Sequence, residues 1–303
     1  MIYTLTLNPC IDYYVNIDTL VVNNLNISSK NTLKAGGKGI NVSLMLNNLF
    51  CYNEAVLITG GAIGDLITNN LKSQNVNYYN LLISNNNRIN LKIKDINNNI
   101  TEIAGTSPEV KLSTYIEILQ YLTKLNDNDI IVFSGSIPYG LPNNIYYLIA
   151  NSINPNVKTI LDTRDNLKNN IYNNFLLKPN LQEFENLCNT KFTSLYQIKD
   201  YANFYVNSYN ITYMLISLGQ YGAMLVSKDS AIFSNAPIGV LNNATGSGDS
   251  MVAGFIFAHL NNLSNEDALK FSVGCGSATA FNENIAKYEH IEQLLPQIKA
   301  VYL

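Results

Sequence analysis

Asn243-Ala244-Thr245-Gly246-Ser247-Gly248-Asp249-Ser250 runs directly into Met251-Val252-Ala253-Gly254-Phe255. A polar, glycine-rich turn opening an apolar segment reads as the start of a buried helix, with Thr245 or Ser247 placed to cap it. The first amides of such a helix lack intrahelical partners and attract negative charge. Asp249 falls in the first turn, where a carboxylate would repel an anion that was merely bound. The pairing makes chemical sense when Asp249 takes a proton from a hydroxyl while the turn amides hold charge developing on a phosphoryl group. An ordinary cap with an acidic first turn has the same local sequence, so the rest of the chain has to decide.

The chain has 303 residues, 47% of them hydrophobic and 14% charged, enough for a full core in one large domain or in one domain with a small appendage. A formal net charge of -3 and the absence of any Lys/Arg block argue against nucleic acid as a partner. Cys10, Cys51, Cys188 and Cys275 are far apart and show no metal-ligand spacing; with no signal-like N-terminus they read as reduced thiols in a cytoplasmic protein. Apolar runs are too short to span a bilayer, which excludes the membrane as a partner, and two histidines make a His-rich zinc site a poor reading.

A β-α rhythm runs through most of the chain. Ile2 to Leu7, Ala55 to Thr59, Ile130 to Phe133, Thr159 to Asp162, Phe175 to Leu177 and Ile211 to Ser217 read as strands, separated by helical stretches, which implies a mostly parallel sheet. Asp12 lies just past the first strand, where open α/β sheets place ligands, although a turn residue would look the same. Gly36-Gly37 before the next helix forms a second anion-friendly turn, Lys38 adds a point charge, and Asn41 is placed to bond a sugar hydroxyl. This is not a P-loop, because the Gly-x-x-x-x-Gly-Lys-Ser/Thr spacing is absent; nor does a Gly-x-Gly-x-x-Gly follow the first strand. The rhythm breaks twice. Residues 12–34 and 76–105 look like short strands with Asn-rich turns, among them Asn85-Asn86-Asn87 and Asn97-Asn98-Asn99. Arg88 to Ile93 alternates at period two, with Arg88, Asn90 and Lys92 on one face and Ile89, Leu91 and Ile93 on the other, as expected of a small sheet lying over a site. Asn180 and Glu183, three apart, share a face if a helix starts at Pro179 and would then order waters on a divalent cation; a capping box explains them equally well. Residues 266–282 form a helix rich in small residues, which permits close packing or approach by a flat ring.

Gly36-Gly37-Lys38-Gly39-Ile40-Asn41-Val42, Lys178-Pro179-Asn180 and Gly246-Ser247-Gly248-Asp249 occur in the order seen in the ribokinase-like (PfkB) carbohydrate kinases, which the chain resembles over nearly its whole length. Within the family the stretches Thr4 to Asp12, Arg88 to Lys92, Thr101-Glu102-Ile103 and Ser134 to Pro138 are most similar to those of bacterial 1-phosphofructokinases; tagatose-6-phosphate kinases, the alternative, typically read Asp-Ser where this chain has Ile89-Asn90. The resemblance implies an α/β fold, a three-layer αβα sandwich over residues 1–303, with a small discontinuous β-sheet lid from about 12–34 and 76–105. It implies Asp249 as general base, and the amides of Gly246, Ser247 and Gly248 as the anion hole. Asp12, Gly37, Asn41 and Ser136 would hold the phosphosugar, with Lys38 and Arg88 on the phosphate it already carries. ATP would lie near Lys178, Asn180, Ser217, Gly219, Gly222, Gly274, Ala278 and Asn282, and Mg2+ would be held through water by Asn180 and Glu183. A homodimer through the lid is a further expectation. A noncatalytic sugar-phosphate sensor is the rival reading, opposed by the intact turn. Relatives usually have Asn-Thr where this chain has Asn243-Ala244, and often Asn-Arg where it has Asn26-Ile27; if that arginine meets the substrate phosphate, Lys30 or another base must substitute.

Overall fold

The computed structural model describes every residue except Asn98 and Asp165. The turn expected at Asn97-Asn98-Asn99 therefore lies, at Asn98, outside the described residues. In chain order the elements are β1 (Ile2–Thr6), β2 (Cys10–Asn16), β3 (Lys30–Gly36), α1 (Lys38–Asn48), β4 (Asn53–Thr59), α2 (Gly61–Ser73), β5 (Tyr78–Leu82), β6 (Arg88–Lys94), β7 (Ile100–Ile103), α3 (Leu112–Leu122), β8 (Ile130–Ser134) and α4 (Ile145–Ala150). They continue with β9 (Lys158–Asp162), α5 (Leu167–Asn170), β10 (Leu176–Leu177), α6 (Leu181–Cys188), α7 (Leu195–Ser208), β11 (Tyr213–Ser217), β12 (Ala223–Val226), β13 (Ala231–Ser234), α8 (Ser247–Leu260), α9 (Asn265–Phe281), α10 (Tyr288–Leu294) and β14 (Ala300–Tyr302).

A 10-stranded sheet has the order β14-β13-β12-β11-β10-β9-β8-β1-β4-β5. From β5 to β11 every pairing is parallel, and β12, β13 and β14 add an antiparallel flank. The central strands read as continuous apolar runs because both faces are covered. Alternation sorts their side chains: Tyr3, Leu5, Ile131 and Phe133 join a core with Ile118, Tyr146 and Val206, whereas Ile2, Ile130 and Val132 join one with Met45, Val252 and Leu269. In the second layer α8 and α9 pack at a glycine contact: a Cβ on Gly254 would sit 2.8 Å from Cys275 Sγ and 3.0 Å from Ser272 Cα. Among the described residues no helix is long and apolar enough to cross a membrane.

The remaining strands form a separate sheet, β3-β2-β6-β7. Tyr78–Leu82, expected there, instead pairs in parallel with β4 at the edge of the main sheet. Helix α2, which begins at Gly61, carries the chain back for this crossover. Only Leu81 of β5 is buried, so its sequence looks like that of an exposed strand. The second segment of the small sheet accordingly starts at Arg88 rather than at 76.

Candidate active site

Parallel strands end on one side of the sheet, and the polar residues singled out above collect there. Thr6 and Asn8 lie at the end of β1, Ser134 at that of β8, Asp162 at that of β9, Lys178 just beyond β10 and Ser217 at the end of β11. Two cavities open at this edge. One, of about 670 Å³, lies under the small sheet and is lined by Asp12, Gly37, Lys38, Asn41, Arg88, Ser136, Lys178 and Asp249, among others. The other, of about 1060 Å³, is lined by Ser217, Gly219, Gly222, Ser247 and Met251 and by the loop 236–241. Asn180, Ser217, Ala244 and Gly248 line both, so the cavities meet at the start of α8.

The geometry of that start follows from its glycines. Gly246 is the N-cap, with φ 84, in the left-handed region, and a Cβ there would lie 2.6 Å from Ile285 Cδ1. No side chain caps the helix, contrary to the expectation for Thr245 and Ser247. Thr245 Oγ1 instead accepts from Lys92 Nζ at 2.9 Å, and Ser247 Oγ is buried without a described partner. The amides of Gly246, Gly248 and Asp249 donate to no described residue, which leaves them for a ligand; that of Ser247 is partly used, donating to Ala244 O at 3.3 Å. Asp249 is buried, and its Oδ2 accepts from Asn41 Nδ2 at 2.7 Å. Burial pushes its carboxyl up to about 6, the charge of Asp162 adds to the rise, and Lys38, Asn41 and Lys178 hold it back.

On the floor of the smaller cavity, Asp12 Oδ1 accepts from Asn90 Nδ2 at 2.9 Å, and its Oδ2 lies 3.3 Å from Lys92 Nζ. Gly36 permits this, since a Cβ there would be 2.8 Å from the Asp12 carboxyl carbon. Four atoms of the lining residues are buried with no described partner: Thr6 Oγ1, Asn8 Oδ1, Ser134 Oγ and Arg88 Nε. Such orphans call for a bound polar molecule or water. Ser136 Oγ accepts from Asn8 Nδ2 at 3.0 Å.

Lys38 departs from the sequence expectation. Its Nζ lies 2.7 Å from Asp162 Oδ1 and 3.9 Å from Glu183 Oε1, so it serves the carboxylates rather than standing free for a sugar phosphate. Burial opposes its charge, but Asp162, Asp249 and Glu183 outweigh that and raise its pKa. Arg88, with Nη2 only 3.5 Å from Asn8 O, is the less committed cation. Lys30 lies outside this cavity, 3.4 Å from Glu283.

Asp162 was legible only as a strand ending in a carboxylate. Fully buried, it takes Lys38 and Lys178 on the same oxygen, the latter at 3.4 Å, while Oδ2 has no described partner. Burial alone would raise its pKa, but Lys178 and Lys38 reverse this and hold it down. Asn180 is the N-cap of α6, not a residue inside it, and completes a capping box: Glu183 N donates to Asn180 Oδ1 and Asn180 N to Glu183 Oε2, both at 2.8 Å. Of the pair's carboxylate only Oε1 is left over, turned toward Lys38.

Helix α9 reaches the larger cavity through Val273, Gly276, Ser277, Ala280 and Phe281. Gly274 does not line it, because it faces Leu295 and Ile291; nor do Ala278, which is fully buried, and Asn282, whose amide donates to Ala278 O at 2.7 Å. The cavity is thus lined by a different face of α9 from the one that carries Gly274, Ala278 and Asn282. Asn90 and Lys92, which hold Asp12, were on the predicted polar face but were not assigned to the site.

A family model described as pfkB family carbohydrate kinase matches residues 3–288. A 1-phosphofructokinase from Bacillus subtilis (strain 168) is 36% identical over the full length of both chains. A tagatose-6-phosphate kinase from Staphylococcus epidermidis is 28% identical over 99% of both. Among solved structures, a Staphylococcus aureus protein assigned provisionally as a phosphofructokinase superimposes with a TM-score of 0.86 at 31% identity, covering 100% of this chain and 99% of that one.

Proposed function

Because this chain belongs to the pfkB family of carbohydrate kinases, we propose that it transfers a phosphoryl group from ATP to O6 of fructose 1-phosphate, giving fructose 1,6-bisphosphate, with Asp249 as general base. The observation that carries this reading is the position of Asp249, buried at the junction of two cavities beside unused helix amides. The smaller cavity takes the phosphosugar, and its orphaned polar atoms are met by hydroxyl and phosphate oxygens. Asp12, held by Asn90 and Lys92, orients sugar hydroxyls, and Arg88 grips the phosphate already present. The larger cavity takes the nucleotide, with Gly219 and Gly222 near its polyphosphate. Asp249 aligns the acceptor hydroxyl and accepts its proton, while the amides of Gly246 and Gly248 meet charge developing on the phosphoryl oxygens. The small sheet acts as a lid that excludes water and limits wasteful ATP hydrolysis.

Glu183 Oε1, the carboxylate oxygen that the capping box leaves over, is a hard donor of the kind Mg2+ takes, and beside Asn180 it would hold the ion through water. Bound there, the ion neutralises charge on the nucleotide phosphates. Asn180→Ala removes the capping box and is expected to cost about 1 kcal/mol of stability. If the pair also orders metal-bound water, the Mg2+ concentration for half-maximal rate rises in the same variant; an unchanged Mg2+ dependence would confine the pair to capping.

The lid's outer face supports a homodimer. Register aligns Tyr13 with Leu33 and Leu91, and Leu91 with Ile103, and Leu33 and Ile103 are about half exposed. Light scattering should give the mass of two chains; the mass of one would refute this part. Tagatose 6-phosphate phosphorylated at O1 is the second reading, favoured by shared machinery and disfavoured by Ile89-Asn90 and the lower identity. A coupled assay decides. kcat/KM for fructose 1-phosphate is expected to exceed that for fructose 6-phosphate and tagatose 6-phosphate by at least about ten-fold, since a site with buried polar groups penalises a mispaired substrate. Preference for either 6-phosphate would overturn the specificity.

A further inference from the structure

The polar face of the small sheet extends beyond the acceptor cavity. Its in-register rows run Lys34-Asp12-Asn90, then Thr32-Tyr14-Lys92-Glu102, then Lys30-Asn16-Lys94-Ile100. The first row borders the cavity that holds Asp12. The last opens into a separate cavity of about 240 Å³, closed from the main body by Asn242, Asn243, Thr245 and Glu283. Four lysines line it, Lys30, Lys34, Lys92 and Lys94, against two carboxylates, Glu102 and Glu283, an excess of two positive charges in a chain whose formal net charge is -3.

Lys92 is paired with Asp12 at 3.3 Å and lies 3.8 Å from Glu102, but the other three cations are poorly compensated. Lys94 Nζ has no partner among the described residues, and Lys30 has only an exposed contact to Glu283 at 3.4 Å. Lys34 is capped by neutral oxygens, Asn284 Oδ1 at 2.7 Å and Glu283 O at 3.0 Å, and burial pulls its pKa down. Lys34 and Lys92 both lie over the Tyr14 ring, at 5.0 and 5.3 Å from its centre. A concave surface with this charge focuses anions. Lys92 also lines the acceptor cavity, and its ammonium reaches both Thr245 in the catalytic turn and Asp12.

We propose that this cavity is a second anion site, which binds a compact phosphate dianion, and that its occupancy is transmitted to the acceptor cavity through Lys92. The size argues for free phosphate or a small phosphomonoester: at about 240 Å³ against about 1060 Å³, it has no room for a nucleoside triphosphate. An anion here competes with Asp12 and Thr245 for Lys92, so it loosens both the sugar-binding carboxylate and the catalytic turn, and it raises KM for the phosphosugar.

Equilibrium dialysis with radiolabelled inorganic phosphate tests the site on the intact protein, with the two larger cavities saturated by fructose 1-phosphate and a non-hydrolysable ATP analogue. One further phosphate per chain is expected, and the double variant Lys30→Ala/Lys94→Ala should weaken it about ten-fold or more, the worth of lost charge-assisted hydrogen bonds. In kinetics, phosphate should raise KM for fructose 1-phosphate to a plateau in the native protein and not in the double variant, whose phosphate-free kcat and KM stay near native. Glycerol 3-phosphate run in parallel distinguishes an ester from free phosphate as occupant by which of the two binds more tightly. Phosphate binding that vanishes once fructose 1-phosphate is saturating, purely competitive inhibition without a plateau, or equal binding by the double variant would each overturn the proposal. Because dialysis reads binding and not turnover, a failed substrate assignment would show separately, as absence of turnover with the site intact.

Discussion

Asp249→Asn is expected to lower kcat by about 10²–10⁴-fold, the usual contribution of a positioned general base, with KM for the phosphosugar changed little. Asparagine is nearly isosteric, so the glycine turn that sets the geometry around Gly246 keeps its shape. What is lost is the acceptor for the hydroxyl proton. The native profile carries the matching signature. The carboxylate is the working form, and burial has raised its pKa to about 6, so kcat/KM holds above that pH and falls as pH drops through it. Stopped assays from pH 5 to 8 read both effects. Near-native turnover in Asp249→Asn would remove the base assignment while leaving the fold and both cavities untouched.

Asp162→Asn should have the largest effect on stability. Asp162 is fully buried and its Oδ1 lies 2.7 Å from the Lys38 ammonium and 3.4 Å from that of Lys178, itself only 3% exposed. Removing the carboxylate leaves the buried Lys178 without an ion pair among the described residues and Lys38 with only Glu183 at 3.9 Å, and breaking such a buried pair typically costs about 3–5 kcal/mol. Urea unfolding at pH 7 measures it. The sign with pH follows from the depressed pKa of Asp162: its contribution is complete above the ordinary carboxylate pKa and is lost as pH falls through the lower folded value. The same substitution removes a negative charge that raises the pKa of Asp249, so the acid limb of activity should move to lower pH. The phosphate of the substrate itself titrates at about 6, but identically with both proteins, so the difference between them isolates the protein group. A variant as stable as native, with its limb unmoved, would show that Asp162 neither neutralises the lysines nor tunes Asp249.

The sequence was most readable where chemistry is local. The turn at Gly246 to Asp249, the Gly36-Gly37 turn and the alternation from Arg88 to Ile93 are short patterns, whose meaning depends on residues within a few positions, and each landed on the same cavity. What escaped depends on distant partners. Nothing near Asp162 announces that Lys38, 124 residues away, will bond its carboxylate. Nothing near Lys92 announces Thr245, 153 residues away. Strand β5 was misassigned because an edge strand with one buried residue has the pattern of an exposed one. Richness in small residues identifies a closely packed helix without fixing its rotation: Gly274, which the family resemblance implied, packs on Leu295 and Ile291, whereas Gly276 lines the cavity, with a Cβ there only 2.6 Å from Met251 Cγ. Asn180 and Glu183 carried two meanings in the same four residues, and the capping box is formed.

Phosphorus NMR of the reaction products tests the central claim most directly. Native protein is incubated with ATP, Mg2+ and fructose 1-phosphate, beside a parallel sample of Asp249→Asn. The account predicts a second phosphate ester, coupled to the protons on C6, growing in step with ADP in the native sample and close to absent in the variant. Equal growth in both samples, or ADP and free phosphate with no new ester, would contradict it.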